Sequence, residues 1–310
     1  MIGLKALFLK PCEVKGTSSA LDAVICSNAA SILPRLTTSS IDLAILDPPY
    51  NLNKTFKGSR FTRSDIPTYV HWMQNWFRHI LPLLKNTATV YVCSDWSTSP
   101  AVYEVLSQHL TIRNRITWER EKGRGAAANW KNCSEDIWFA TVGEAYHFDV
   151  DAVRLKRRVV APYRRDGKAK GWAAENNGNF RLTAPSNLWT DITVPFWSMP
   201  ENTEHPTQKP EKLIAKLVLA SSRPGDVVLD PFLGSGTTAA VCTKLCRRFI
   251  GIETEPAYCA LSFKRIQLAK LNSRIQGYED GVFLERNTMQ LQMQSMKRSK
   301  QQELYFDAAE

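Results

Sequence analysis

The sequence predicts an α/β fold in which a parallel or mixed sheet carries helices on both faces. Two apolar runs, at residues 41–46 and 227–229, have the composition of strands, and each is followed at once by Asp-Pro. A helical pattern lies between residues 67 and 84, where large apolar side chains recur at three- and four-residue steps and are expected to face the core. Further strand-like and helical segments alternate along the chain. Such alternation is typical of βαβ units in a helix-covered sheet.

Length and composition fit a globular protein with a polyanionic partner. The 310 residues are enough for one large α/β domain with an insertion, or for two modest domains. The net charge is +10, and a basic surface favours polyanions, of which nucleic acid is the commonest. Seven scattered cysteines without a Cys-x-x-Cys pair indicate neither a zinc site nor a disulfide framework, so reduced thiols and a cytoplasmic location are expected. No apolar run is long enough to span a membrane.

The tetrapeptide Asp47-Pro48-Pro49-Tyr50 directly follows the first apolar run. Proline fixes φ and lacks an N–H, so the two prolines stiffen the turn and leave the Pro48 carbonyl free to accept hydrogen bonds. A carboxylate, a carbonyl and an aromatic ring suit a flat ring with an exocyclic amine. Asp47 and the Pro48 carbonyl would accept the two amine hydrogens, and Tyr50 would stack on the ring. Taken alone, the tetrapeptide is also compatible with an ordinary proline-rich turn.

A glycine-containing turn follows the second run, from Asp230 to Thr237, and leads into a helical pattern. Gly234 and Gly236 allow a tight turn and a close approach of the backbone to a ligand at a helix N-terminus. A dinucleotide site would have a third glycine where Ala239 stands, which disfavours NAD. The next strand ends at Glu253, about 20 residues further on, where an acidic residue is suited to a ribose diol.

These two motifs, with His205-Pro206-Thr207-Gln208-Lys209-Pro210 between them, resemble the amino DNA methyltransferases that use S-adenosylmethionine. The catalytic motif precedes the cofactor motif, as in the circularly permuted beta group, which includes type II restriction–modification methyltransferases. The resemblance implies a Rossmann-like methyltransferase sheet flanked by helices, with an inserted basic target-recognition region. The expected organisation is an N-terminal extension at 1–22, a catalytic domain at 23–142 and 201–272, a target-recognition region at 143–200, and a polar C-terminal tail at 273–310.

The resemblance also implies roles for single residues. The tetrapeptide Asp47-Pro48-Pro49-Tyr50 is expected to be catalytic. Thr207 and Lys209 are expected at the methionine carboxylate of the cofactor, although a helix cap and a surface lysine are the alternative. Phe232 suits either a cofactor wall or the core. The remaining expected cofactor contacts are Asn28 at the adenine edge, Asp230, Gly234, Ser235, Gly236 and Thr237 under the methionine end and ribose, and Glu253 at the ribose hydroxyls.

Basic residues crowd the stretch from 154 to 170, and aromatic residues are interleaved downstream. Basic side chains contact phosphates, and planar or amide side chains read base edges. The resemblance places target recognition here, although a solvated basic loop is the alternative. The expected DNA contacts are Arg154, Arg157, Arg158, Arg164, Arg165 and Lys168.

The predicted reaction is transfer of a methyl group to the N6 amine of an adenine that is flipped out of double-stranded DNA. N4-cytosine is the alternative base. Among the enzymes that the chain resembles, those that methylate N4-cytosine more often begin the tetrapeptide with Ser, whereas this chain has Asp47, so the resemblance favours adenine. Cytosine-C5 methyltransferases use a Pro-Cys nucleophile. The Pro11-Cys12 pair of this chain lies in the expected N-terminal extension, which disfavours that chemistry. RNA or protein methylation and a catalytically silent DNA-binding subunit are further alternatives. A cognate restriction endonuclease and a second copy of the chain are additional expected partners, and no metal is expected.

Overall fold

The computed structural model describes residues 7–56, 59–120, 127–160, 162–175 and 178–286. The chain divides into two units. The first unit holds the chain up to Asp149 and Asn187–Ile275, and the second holds Val150–Ser186 and the chain from Gln276.

Strands and helices are numbered along the described residues. The strands are β1 (Leu7–Leu9), β2 (Ala23–Cys26), β3 (Ile41–Leu46), β4 (Lys54–Phe56), β5 (Ser59–Phe61), β6 (Leu84–Ser94), β7 (Thr111–Glu119), β8 (Ser134–Thr141), β9 (Leu155–Arg158), β10 (Arg164–Arg165), β11 (Lys168–Ala169), β12 (Ala173–Glu175), β13 (Gly178–Thr183), β14 (Leu188–Trp189), β15 (Val227–Asp230), β16 (Arg248–Glu253), β17 (Tyr278–Glu279) and β18 (Val282–Leu284). The α-helices are α1 (Thr17–Ala20), α2 (Ala29–Ile32), α3 (Ile66–Phe77), α4 (Ser99–Ser107), α5 (Glu211–Ser221), α6 (Thr237–Lys244) and α7 (Pro256–Leu271), and short 3₁₀ turns lie at Pro11–Glu13, Leu33–Arg35, Leu81–Leu83 and Asp151–Val153.

One mixed sheet forms the centre of the first unit, with the strand order β1-β2-β16-β15-β3-β6-β8-β7-β14. Neighbouring strands are parallel except at β8, which runs antiparallel to both β6 and β7. Strand β3 is apolar along most of its length because it lies inside the sheet, where both of its faces are covered. Helices α2, α3 and α4 pack apolar side chains against the sheet. The predicted α/β fold is confirmed.

The carboxyl ends of the parallel strands carry the sequence motifs to one edge of this sheet. Strand β15 lies between β3 and β16, so Asp47, Asp230 and Glu253 follow or end three neighbouring parallel strands. The antiparallel strand β8 begins at the same edge, where Asp136 pairs with Ser94 near the end of β6. In open α/β sheets this edge is where ligands bind.

The second unit has its own five-stranded sheet among the described residues, in the order β12-β13-β9-β18-β17. A separate hairpin joins β10 and β11. Strands β17 and β18 come from the stretch at 273–310 that the sequence suggested was a tail, and β18 pairs with β9 in parallel. These strands are only two and three residues long, which is too short for a periodic pattern to be visible in the sequence.

Other boundaries differ from the sequence-based division as well. Residues 143–149 and 187–200, expected in the target-recognition region, belong to the first unit. Strand β1, expected in an N-terminal extension, pairs with β2 and forms the edge of the main sheet. Residues 287–310, the rest of the expected tail, lie outside the described residues. No helix in the described part of the chain has the length and hydropathy needed to cross a bilayer.

Candidate active site

A cavity of about 620 Å³ lies at the carboxyl edge of the main sheet. Its volume is in the range typical of sites for small ligands. The lining includes the tetrapeptide 47–50, residues 205–209, the turn 230–235 and Glu253. Every residue expected to be catalytic or to bind the cofactor lines this cavity, except Gly236. The fold therefore brings together motifs that are far apart in the sequence.

Asp47 has a hydrogen-bond donor at each of its carboxylate oxygens. The Tyr50 hydroxyl lies 3.0 Å from Oδ1, and the Lys209 ammonium lies 2.6 Å from Oδ2. Glu135 faces the same two donors, because its Oε2 is 3.2 Å from the Tyr50 hydroxyl and 3.3 Å from Lys209 Nζ. The other oxygen of Glu135 is paired with Arg120. Two carboxylates, two cations and a phenol thus form one connected network.

The network fixes the protonation of its donors. Burial disfavours a charged ammonium, but the carboxylates of Asp47 and Glu135 outweigh burial and raise the pKa of Lys209. Burial and the same two carboxylates raise the pKa of Tyr50 well above its usual value. Lys209 therefore remains a cation and Tyr50 remains a neutral hydroxyl at physiological pH. Both residues act as donors to the carboxylates.

This arrangement differs from the sequence expectation for Lys209. The sequence predicts Lys209 at the methionine carboxylate of the cofactor, but its ammonium lies 2.6 Å from Asp47. The sequence does not identify Glu135 or Arg120 as residues of this site. Glu135 stands at the second position of β8 without a recognisable motif, and only the antiparallel pairing of β8 brings it to this edge.

The turn at 230–236 is held by Glu253. The Gly234 amide donates to Glu253 Oε2 at 2.8 Å, and Oε1 accepts from the amides of Thr254 and Glu255. Each carboxylate oxygen can accept two hydrogen bonds, so Oε2 keeps the capacity for a ligand hydroxyl. Gly234 has a φ of +54°, and a Cβ at this position would lie 3.1 Å from the His205 ring. The turn is therefore shaped for glycine.

Asp230 lies beneath the same turn and is buried. Its Oδ1 accepts the Phe232 amide at 3.0 Å. Burial raises the pKa of Asp230 to about 7, although hydrogen bonds from Thr238 and Phe232 oppose this effect. Within the described part of the chain, no lysine or arginine forms an ion pair with Asp230. The site therefore contains a buried carboxyl group that a cationic ligand would stabilise in its charged form.

Thr237 and Arg265 connect the turn to Lys209. The Thr237 hydroxyl donates to the Lys209 carbonyl at 3.0 Å, and Arg265 donates to Thr237 Oγ1 at 2.8 Å. Arg265 also pairs with Glu211 at 3.0 Å, at the start of α5. The backbone that carries Lys209 is thus fixed by the first turn of α6.

The remaining expected cofactor residues lie at the cavity with defined local roles. Asn28 caps α2 by accepting the Ala30 amide at 2.9 Å, so its side-chain oxygen has a structural partner. Thr207 lines the wall beside His205. Ser235 is buried and accepts a hydrogen bond from Arg265. Gly236 is the N-cap of α6 and has a φ of +80°.

Helix α3 contributes more than core packing. Trp76 belongs to the core cluster and also lines the cavity, where its ring meets Phe232 edge-on at 5.0 Å. Trp72, which was expected to face the core, is 36% exposed and lines the cavity as well. Spacing along a helix identifies the apolar face, but it does not show whether that face meets a sheet or the wall of a cavity.

The six basic residues expected to contact DNA lie in the second unit and fall into two groups. Arg154 pairs with Asp151 at 2.7 Å, and Arg157 lies 3.7 Å from Glu285. The other four are exposed, namely Arg158, Arg164, Arg165 and Lys168. Arg164 also lies over the Trp172 ring, 5.3 Å from its centroid. Among the described residues, no cluster of three or more His, Cys, Asp or Glu side chains is arranged to hold a metal.

Comparisons with known proteins match this architecture. The DNA methylase family matches residues 41–264. Type II methyltransferase M.HpaI of Haemophilus parainfluenzae is 33% identical over 259 residues, which cover 83% of this chain and 76% of that protein. DNA adenine methyltransferase YhdJ of Escherichia coli (strain K12) is 30% identical over 266 residues, which cover 83% of this chain and 87% of that protein. The crystal structure of the M1.HpyAVI–SAM complex aligns with a TM-score of 0.54 at 22% identity, covering 78% of this chain and 98% of that one.

The chain belongs to the DNA methylase family, whose members methylate the exocyclic N6 or N4 amines of bases. The predicted amino DNA methyltransferase class is thereby confirmed. The Rossmann-like methyltransferase fold is confirmed as well, because the solved structure shares it over most of both chains.

Proposed function

We propose that this DNA methyltransferase is site-specific and methylates the N6 amine of an adenine that is flipped out of double-stranded DNA. One observation carries the proposal: Asp47-Pro48-Pro49-Tyr50 and the turn at 230–235 line a single cavity, from neighbouring strands β3 and β15. Two points support adenine. The tetrapeptide begins with Asp47 and not with the Ser that is commoner in N4-cytosine enzymes. In addition, YhdJ, which is named as an adenine methyltransferase, is 30% identical to this chain. N4-cytosine is the second candidate, since the family includes it.

The methyl donor is S-adenosylmethionine, and the residues at the glycine turn fit it. When bound, this cofactor supplies a methyl group on an electrophilic sulfonium sulfur. Asp230 offers a buried carboxyl group suited to the cationic methionine end, and Glu253 keeps an acceptor for a ribose hydroxyl. Gly234 lines the cavity and its missing side chain makes room for the His205 ring, while Phe232 offers an apolar wall. Asn28 and Thr207, with Ser235 and Thr237, complete the set of lining residues that we assign to cofactor binding.

The chain's own residues prepare the base amine. Its nitrogen is a poor nucleophile because the lone pair is conjugated with the ring. Asp47 and the Pro48 carbonyl accept the two amine hydrogens, which draws the nitrogen towards tetrahedral geometry and frees the lone pair. Holding the amine in one orientation removes much of the entropic barrier. The same fixed acceptors stabilise the positive charge that develops on the nitrogen. Tyr50 supplies the ring on which the flipped base stacks.

We assign DNA contact to the exposed basic residues of the second unit. Four of these side chains are exposed and can approach phosphates, namely Arg158, Arg164, Arg165 and Lys168, although Arg165 lies 3.9 Å from the exposed Asp166. Arg154 and Arg157 are less exposed and are engaged in ion pairs. The name of M.HpaI, a type II methyltransferase, supports a role beside a cognate restriction endonuclease. Homodimerisation stays a prediction that analytical ultracentrifugation would test.

The test of this function is mass spectrometry of nucleosides from unmethylated plasmid incubated with the protein and S-adenosylmethionine. N6-methyladenine is expected with the wild type and should be lost in Asp47→Ala. Asp136→Asn provides a matched control, since Asp136 is a buried carboxylate outside the cavity. N4-methylcytosine would replace the base assignment and leave the mechanism intact. Cofactor binding without any methylated nucleoside would instead indicate a silent DNA-binding subunit or an RNA substrate.

A further inference from the structure

We propose that Glu135 is a positioning residue for methyl transfer, which takes over the Tyr50 hydroxyl and the Lys209 ammonium when a base amine binds to Asp47. This inference rests on the proposed function, because it concerns how Asp47 becomes available to the base. It adds a second carboxylate to the site, whose role is to hold donors rather than to touch the substrate.

The first step of the argument is the occupancy of Asp47. Its Oδ1 accepts the Tyr50 hydroxyl at 3.0 Å, and its Oδ2 is paired with Lys209 at 2.6 Å. A carboxylate whose charge is already satisfied by an ammonium and a hydroxyl is a weaker acceptor for a neutral amine. To be a strong acceptor for the base, Asp47 must share or release these donors.

The second step is that Glu135 lies within reach of both donors. The Tyr50 hydroxyl has a single proton, so it donates either to Asp47 or to Glu135 Oε2 at 3.2 Å. Lys209 Nζ, with three protons, lies 3.3 Å from the same Glu135 oxygen. A small shift of each donor towards Glu135 would leave Asp47 free to accept from the base while every donor keeps a partner.

The third step is that Glu135 is fixed in place. It is 5% exposed, and a buried carboxylate is costly unless it is paired. Arg120 pairs with its Oε1 and leaves Oε2 facing Tyr50 and Lys209. Glu135 and Arg120 both line the cavity. Glu135 is therefore an acceptor of fixed position, which an exchange of donors requires.

The fourth step separates this role from simple packing. Asp136 is the next residue of β8 and is also a buried carboxylate, but it bonds to Thr117 at 3.0 Å and does not line the cavity. Successive residues of a strand point to opposite faces of the sheet. Asp136 therefore lies on the same strand as Glu135 but does not contact Tyr50 or Lys209. A substitution there tests what the loss of a buried charge on β8 does by itself.

The experiment is single-turnover methylation of a DNA duplex that contains the target site, with S-adenosylmethionine affinity measured in parallel by calorimetry. Glu135→Gln should slow the methyl-transfer step about 10- to 100-fold, because a neutral amide holds the two donors less strongly. The cofactor affinity should stay within about twofold, since Glu135 acts on the rate and not on binding. Asp136→Asn should keep the wild-type rate.

A double-mutant cycle measures whether the effect of Glu135→Gln on the rate depends on the Tyr50 hydroxyl, which a purely structural role of Glu135 would not require. In a Tyr50→Phe background the hydroxyl is absent, so the effect of Glu135→Gln should shrink at least about threefold. Independent effects of the two substitutions on the rate would contradict the exchange of donors. If Glu135→Gln does not fold, Glu135→Asp replaces it, because the shorter side chain keeps the charge but moves it away from Tyr50. A wild-type rate in the Glu135 variant would overturn the inference alone, whereas absence of methylation by the wild type would overturn the proposed function together with it.

Discussion

Asp47 and Lys209, 162 residues apart in sequence, form an ion pair of 2.6 Å at the carboxyl edge of the main sheet. The Lys209 carbonyl accepts a hydrogen bond from the Thr237 hydroxyl at 3.0 Å, in the first turn of α6. Lys209 thus contacts the tetrapeptide 47–50 through its side chain and helix α6 through its backbone. The position of Asp47 is therefore tied to that of the glycine turn at 230–236.

Lys209→Met should distinguish a role in pairing with Asp47 from contact with the methionine carboxylate of the cofactor, which the sequence predicts. Removing the ammonium leaves Asp47 and Glu135 without their shared cation, so the methyl-transfer rate should fall about 100-fold. Affinity for S-adenosylmethionine should change by less than about threefold, because the ammonium lies in the catalytic network. Single-turnover kinetics and calorimetry measure the two quantities.

Lys85→Met is the control, since Lys85 pairs with Asp42 at 2.7 Å and does not line the cavity. A large loss of cofactor affinity with a normal rate would restore the methionine-carboxylate role.

Cofactor binding should release a proton from Asp230. Burial raises the pKa of this carboxyl to about 7, so it is largely protonated below neutral pH. A cationic ligand favours the ionised form and lowers the pKa, and affinity should therefore rise as the pH approaches 7 and then level off. Calorimetry at about pH 6.5 in two buffers of different ionisation enthalpy measures the released proton.

Asp230→Asn should abolish both the proton release and the pH dependence of affinity. Asp226→Asn is the matched control, because Asp226 precedes β15 at the opposite end of the strand and caps the Arg223 amide. Proton release that persists in Asp230→Asn would assign it to another group.

The glycine turn gives a prediction about stability. Gly236 has a φ of +80°, and an added Cβ would lie 2.7 Å from the Cα of Ser262. Gly225 has a similar φ of +88° with nothing within 4 Å of an added Cβ, so it isolates the backbone cost in the same unit. Gly225→Ala should cost about 1–2 kcal/mol of unfolding free energy. Gly236→Ala should cost about 2 kcal/mol more, because α6 and α7 must separate to admit the methyl group. Urea denaturation measures both, and equal costs would show that Ser262 can move aside.

Much of the site could be predicted because its motifs follow parallel strands. Asp47, Asp230 and Glu253 each mark a strand end, and parallel strands bring such ends to one edge. Glu135 could not be predicted in this way, because its place depends on β8 running antiparallel between β6 and β7. The sequence contains no local signal for that pairing. For Lys209, the motif predicts a place at this cavity, but it does not show that the ammonium would lie beside Asp47.

The sheet of the second unit could not be predicted either, because it too depends on the pairing of strands that are distant in the sequence. Its sheet joins β9 to β18, two strands that precede and follow the segment Asn187–Ile275 of the first unit, so neither strand's own segment reveals the pairing. Composition identified the basic residues between 154 and 170 but could not show which side chains are exposed and which are partly buried. Arg157 and Arg158 are adjacent in β9, yet Arg157 lies near Glu285 and Arg158 is exposed.

That difference gives the last prediction. Arg158→Ala should remove one phosphate contact, lowering the slope of log affinity against log salt concentration by about one. Arg157→Ala should change the slope less and should instead destabilise the second unit, because it leaves Glu285 without its partner. Lys270→Ala, an exposed lysine of α7, is the control for loss of a surface charge. Fluorescence anisotropy with a labelled duplex, measured over a series of salt concentrations, gives the slopes. Equal slopes for Arg158→Ala and the wild type would remove Arg158 from the DNA interface.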